Sequence, residues 1–217
     1  MVKRQGNELM AGLALDALVA ALKTGSMHGG QFLSMPQMVD SLGFPIAAVR
    51  EAVKQASSFG LVDIIPKRGV KVMETDPEMT RDCLDLRSIL DQEGARRLIR
   101  AGKRLDLRGL RDAHVRIRDL AANKAAGSLT EKAIKTDLSL HDFLSSGLSN
   151  PIAEENYAVN RIRIAIIQNS RPFVRKRIVS AMDEHLDIID ALEARDAGKA
   201  VHAIEMHYEN TREWWGV

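Results

Sequence analysis

Cysteine is almost missing from this sequence: Cys83 stands alone among 217 residues. A single thiol excludes a disulfide framework and any zinc site built on several thiolates. Cys83 falls in a helical pattern and reads as a small, inert, buried residue. Charge of one sign is also lacking. The formal net charge is +2, so bulk electrostatics names no partner. No apolar run approaches the roughly 20 residues that span a bilayer. The N-terminal stretch MVKRQGNEL has no apolar core of the signal-peptide kind, and a cytoplasmic protein is expected. Low-complexity tracts and solenoid repeats are absent. What remains is ordinary for a soluble protein, with 45% apolar and 28% charged residues. The length suffices for one large domain or two small ones.

Two halves differ in their patterning. In residues 1–75 helical and strand periods alternate. Glu8 to Lys23 is rich in Leu at helical spacing and stops at Gly25. GSMHGGQFL reads as a loop. Ser34 offers an N-cap and Pro36 sits near a first helical turn, which opens a short helix to Leu42. Gly43 stops it. Ile46 to Ser58 forms the next helix, with Ile46, Val49, Val53 and Ala56 on one side. Leu61–Ile65 and Val70–Met73 are rich in β-branched residues around a Pro66–Gly69 turn, a β-hairpin signal. Helix, short helix, turn, helix, hairpin is the order of a winged helix-turn-helix. From Pro77 onward the chain reads as helix throughout, with breaks near Gly102, Gly127, Gly147 and Gly198. The expected fold is mainly α: a winged helix-turn-helix over 1–75, with a small β-hairpin wing, and an all-α bundle over 76–217.

The second half carries an anomaly. Asp137 and His141 are one helical turn apart, on the face that holds Ile134, Leu138, Leu144 and Leu148. His185 falls in the apolar stripe of Ile178, Met182, Ile189 and Leu192. His207 is three residues after Ile204 and also faces inward. Buried polar groups need partners, and three imidazoles with one carboxylate find them around one cation. Such an oxygen and nitrogen set suits zinc, nickel, manganese or iron better than calcium. His202 faces elsewhere on its helix. His114, in the Arg-rich AHVRIRDL, and His28, in a loop, read as solvated.

Two groups of motifs bring the chain close to a known family. AAVREAVKQASSFGLVDIIPKRGVKV runs through the third helix and the wing. Asp137-x-x-x-His141, GLSNP and EHLDIIDALEARDAGKAVHAIEMHYENTRE follow in the second half. In this order they resemble the GntR-type transcriptional regulators, specifically the FadR subfamily with the helical ligand-binding FCD domain. The resemblance implies a DNA-binding surface of Ser34, Arg50, Lys54 and the wing tip Lys67, Arg68 and Gly69, with Lys71 beside it. It also implies that Asp137, His141, His185 and His207 are the metal ligands. The family has Arg-x-x-Leu-Glu where this chain has Arg87 and Asp91, which makes Arg87 the candidate carboxylate anchor. An Arg87–Asp91 salt bridge is the alternative. Asn160, Arg161 and Arg163, on the helix after GLSNP, are further candidates for contact with an effector. One departure stands out: Pro45 and Ile46 occupy the place of the family's usual Ser-Arg pair.

The resemblance thus implies a homodimeric regulator, not an enzyme. It would bind inverted-repeat operator DNA, most simply as a repressor. A divalent metal, zinc first, would help it sense a small organic acid. Two rivals use the same residues: a metal-dependent hydrolase, and an adaptor whose metal is structural. The hydrolase needs a general base. Asp142 and Glu184 adjoin ligands in sequence and are expected to point away from them.

Overall fold

The computed structural model describes residues 2–123 and 129–217, with side chains from residue 9 onward. The break expected near Gly127 lies outside the described residues. The chain divides into two compact units, Met1–Thr80 with Arg161–Arg171, and Arg81–Asn160 with Pro172–Val217.

The first unit holds α1 (Val2–Thr24), β1 (Phe32–Leu33), α2 (Met35–Leu42), α3 (Ile46–Ser58), β2 (Val62–Ile65) and β3 (Gly69–Val72). The helices stop at the glycines that mark their ends in the sequence. Small residues let α1 and α3 approach closely: Ala14, Ala48 and Ala52 form a buried contact, with Met10, Leu15 and Phe44 packed on it. The sheet is antiparallel in the order β1-β3-β2, with Val62 opposite Val72 and Ile65 opposite Gly69. β1 is a correction to the loop reading of GSMHGGQFL. Phe32 pairs with Lys71 and Leu33 with Val70, because the free edge of β3 offers backbone partners. Gly69 has φ 149°, and a Cβ there would strike the Leu33 carbonyl, so glycine lets β1 close on the wing.

The second unit is helical: α4 (Pro77–Arg100), α5 (Arg108–Ala122), α6 (Thr130–Ser145), α7 (Pro151–Asn169), α8 (Arg175–Glu193) and α9 (Ala197–Trp215). The C-terminal half of α7 belongs to the first unit. There Arg163 donates to the Phe59 carbonyl at 2.7 Å, and Asn169 donates to the Leu22 and Lys23 carbonyls at 3.1 Å. These are helix-end carbonyls that have no partner within their own helix.

α8 is buried along much of its circumference, with Ile178, Ala181, Met182, His185, Leu186, Ile188, Ile189 and Leu192 all inside. A helix apolar over most of its surface belongs in the centre of its layer. Ile117 and Ala121 of α5 and Ala133 of α6 pack on its Ile178, Ala181 and Met182. α4 and α6 meet through glycine. A Cβ on Gly94 would overlap the Leu144 carbonyl, and one on Gly147 would overlap the Gly94 carbonyl. This approach carries Asp91, less than a turn before Gly94, up to His141, less than a turn before Leu144. Among the described residues no helix is long and apolar enough to cross a membrane.

Candidate metal centre and nucleic-acid surface

Three helices deliver one imidazole each. His141 comes from α6, His185 from α8 and His207 from α9, and all are buried. One nitrogen from each lies within 4.8 Å of the others. Ring centroids are 4.5 Å apart for His185–His207, 5.0 Å for His141–His185 and 5.4 Å for His141–His207. The Nε2 atoms of His185 and His207 face each other at 3.4 Å. Asp137, one turn before His141 on α6, brings Oδ1 to 3.7 Å from His185 Nε2. The side chains picked out by their inward spacing therefore lie together in space.

Each imidazole is held from outside through Nδ1. His141 Nδ1 donates to Asp91 Oδ2 at 2.6 Å, and the Tyr208 hydroxyl donates to the same oxygen at 2.6 Å. His207 Nδ1 donates to Glu184 Oε2 at 2.7 Å. Arg177 grips Glu184 with two bonds of 2.6 and 3.1 Å, and Asn210 adds a third at 3.2 Å. His185 Nδ1 lies 3.1 Å from His114 Nε2, and His114 Nδ1 lies 2.7 Å from the Leu110 carbonyl. Outward anchoring of one ring nitrogen is the arrangement that orients imidazoles toward a metal. One carboxylate and three such imidazoles are a donor set that fits zinc and its borderline neighbours.

The electrostatics agree. Burial, and then the positive charge that His207, His141, His114 and Arg87 can carry, push the His185 pKa well below its ordinary value. A ring kept neutral keeps a lone pair to offer. Burial raises Glu184, but bonds from His207 and Arg177 outweigh it, and its carboxyl ends below the usual range. Asp91 goes the other way. Burial pushes it up to about 6, against the opposing pull of Arg87 and the Tyr208 hydroxyl.

At and near this cluster three buried side chains are left incomplete, the first being Asp91, whose Oδ1 has no hydrogen-bond partner among the described residues. Arg87 is buried, yet its Nε and Nη2 have no hydrogen-bond partner among the described residues. Asn160 donates to the Cys83 carbonyl at 2.9 Å, but its buried Oδ1 accepts nothing. An unsatisfied buried polar group costs about 1–3 kcal/mol, and more when charged, so such positions call for an explanation.

Residues 82–210 match the family model described as the FCD domain. The chain belongs to the FCD family. With its winged helix it is a GntR-type transcriptional regulator. It is 23% identical over 215 residues to the HTH-type transcriptional regulator LutR of Bacillus subtilis (strain 168), covering 88% of this chain and 94% of that one. The fold is shared with McbR/YncC of E. coli, at a TM-score of 0.77 and 16% identity over 95% of this chain and 97% of that one. A putative GntR regulator from Rhodococcus sp. RHA1 superposes at a TM-score of 0.69, with 19% identity and 97% of each chain covered.

Within this FCD domain three expectations change. His114 is fully buried rather than solvated, because α5 turns it onto His185. Glu184 does not point away from the cluster: although adjacent to His185 in sequence, it reaches across to His207 on α9. Asp91 binds His141 and Tyr208, and no salt bridge joins it to Arg87. Asp142 accepts from the Tyr157 hydroxyl at 2.9 Å. His28 and His202 are exposed, as read. Arg161 and Arg163 are half-buried and fall in the first unit, where Arg163 holds Phe59.

The winged-helix residues sit at the surface of the first unit. Ser34 precedes α2, its backbone N–H and hydroxyl donating to Gln37 Oε1 at 2.8 and 2.9 Å. On α3, Arg50 is exposed, while Lys54 is bonded to Glu51 at 2.7 Å. Lys67 and Arg68 stand out at the wing tip, with Lys67 at φ 62°. Lys71 is paired with Glu74. Pro45 and Ile46 begin α3, and Ile46 is 48% exposed, an apolar side chain where the family commonly places a basic one.

Proposed function

We propose that this regulator is a homodimeric, cytoplasmic sensor that couples a metal-dependent acid site to operator binding. The observation that supports this best is the buried cluster of Asp137, His141, His185 and His207, anchored outward through Asp91, Glu184 and His114. These four side chains would hold a divalent ion, zinc by preference. Bound there, the ion would supply Lewis-acid attraction for an oxygen ligand. Arg87 supplies a fixed cation with two unpartnered donor atoms, which suits one carboxylate of a small organic acid. Asn160 adds a vacant acceptor for a hydroxyl or amide of the same ligand. Such an acid regulates only if it binds the DNA-competent and DNA-incompetent states with different affinity. Repression relieved by the acid is the expected sign.

Arg50, Lys54, Ser34 and the Lys67–Gly69 wing would contact an inverted repeat, the helix in the major groove and the wing along the backbone. A hydrolase at the same centre is disfavoured by the bonding of its acids. Glu184 is engaged by His207, Arg177 and Asn210, and Asp91 spends Oδ2 on both His141 and Tyr208, so that only its buried Oδ1 is left without a partner. The deciding experiment is a thermal-shift screen of metabolite acids with and without chelator, followed by a gel shift on the protein's own upstream DNA. Acids that stabilise only the metal-loaded protein and alter the gel shift support the sensor. Indifference to chelator removes the metal, and absence of any shifted DNA removes the regulator.

A further inference from the structure

We propose that His114 is a positioning residue for the metal centre: it locks His185 in the tautomer that carries its proton on Nδ1, leaving Nε2 bare toward the other ligands. This rests on the metal reading above. The Leu110 oxygen only accepts, so His114 Nδ1, 2.7 Å away, carries a hydrogen. A neutral imidazole has one such hydrogen, so His114 Nε2 is an acceptor. The atom 3.1 Å from it is His185 Nδ1, which therefore donates. His185 Nε2 is then left with its lone pair. That atom is the one 3.4 Å from His207 Nε2 and 3.7 Å from Asp137 Oδ1.

The opposite assignment fails on the same contacts. A proton on His185 Nε2 would occupy the space between the ligands. It would also turn two lone pairs, His185 Nδ1 and His114 Nε2, against each other at 3.1 Å inside the core, whereas the pair left facing in the proposed assignment, His185 Nε2 and His207 Nε2 at 3.4 Å, is one that a cation between the ligands satisfies. His141 and His207 are oriented by carboxylates, which accept in any state of their surroundings. An imidazole accepts at one nitrogen only when the other is already committed. His114 therefore needs Leu110, four residues earlier on α5. Helix α5 is thus part of the centre, although it contributes no ligand.

Two measurements on the full chain test this. The first needs no substitution: long-range proton–nitrogen correlation of histidine side chains in metal-free wild-type protein reports each tautomer. Protonation of His185 on Nδ1 is expected, and protonation on Nε2 overturns the proposal. The second is zinc affinity by competition with a chromophoric chelator. His114→Phe fills the space without accepting and is expected to weaken zinc binding about 10–100-fold, the usual effect of losing an outer hydrogen-bond partner. His114→Gln restores an acceptor for His185 Nδ1 and is expected to stay within a few-fold of wild type. Equal affinity in wild type and His114→Phe, or equal loss in both variants, counts against the lock. Wild-type protein that takes up no zinc sinks the metal reading itself. That outcome is distinct from tight zinc binding with His185 protonated on Nε2, which sinks only the role of His114.

Discussion

His185 and Arg50 mark two ways of using a polar side chain. His185 is fully buried, with both ring nitrogens facing named neighbours. Arg50 stands in solvent on α3 with no partner among the described residues. In the buried cluster every hydrogen bond replaces one that water no longer supplies, so losing one partner leaves another stranded at a cost of about 1–3 kcal/mol. At the winged-helix surface, water replaces whatever is removed, and each charge contributes a small, nearly independent increment. One region should therefore fail abruptly under single substitutions, and the other gradually.

The sharpest break of that contrast is His185→Ala. It is expected to abolish stoichiometric zinc loading, measured by elemental analysis after gel filtration. His202→Ala, on an exposed histidine, should load fully. Loading that survives His185→Ala would place the ion elsewhere. Chelation comes next in size. At roughly a hundredfold excess over its dissociation constant an ion stabilises the folded state by about 2.7 kcal/mol. For a chain of this size each kcal/mol moves the melting temperature by about 2–4 °C. Removing the ion should thus lower it by about 5–10 °C. A chelator that leaves the melting curve in place contradicts the buried centre.

These two regions were also unequally legible. The winged helix could be read from local signals, namely the glycine stops, the Ser34–Pro36 helix start and the Pro66–Gly69 turn. Only β1 escaped, because a two-residue strand exists through its pairing with β3 and has no periodicity of its own. In the helical unit, inward spacing found Asp137, His141, His185 and His207. Their supports were hidden for a physical reason. Glu184 lies beside a ligand in sequence, yet it serves a different ligand on another helix. His114 looked solvated because Arg neighbours surround it along the chain, while its own face of α5 meets α8. The apolar pattern Leu110, His114, Ile117, Ala121 was the available signal, since it puts His114 in a buried stripe. Periodicity tells which way a side chain points; it does not tell what comes to meet it.

Arg87 tests the buried side of the comparison through its response to ligand. The two unpartnered nitrogens of Arg87 cost the ligand-free protein stability, while its charge attracts buried Asp91 and so offsets part of that cost. Arg87→Met is expected to move the melting temperature of the acid-free protein by only a few degrees. Zinc affinity should not fall, since Arg87 bonds none of the imidazoles and its positive charge, felt at His185, opposes a second cation. Stabilisation by carboxylic acids should disappear. A lowered melting temperature together with a retained acid response would show that Arg87 is structural.

The smallest effects belong to the exposed surface, and there two neighbouring cations on α3 make the comparison internal. Arg50 has no counter-charge among the described residues, whereas Lys54 is held at 2.7 Å by Glu51. A lysine that must leave a carboxylate to reach a phosphate gains less from doing so. Arg50→Ala should weaken operator binding and reduce the slope of log affinity against log salt by about one unit if the contact is to a phosphate. Lys54→Ala should change both by less than half as much. Glu51→Gln, which releases Lys54, should strengthen binding to any duplex and steepen the salt dependence. Equal slopes for all three variants would mean that α3 does not face the phosphates, and that the wing of Lys67 and Arg68 carries the electrostatic contact by itself.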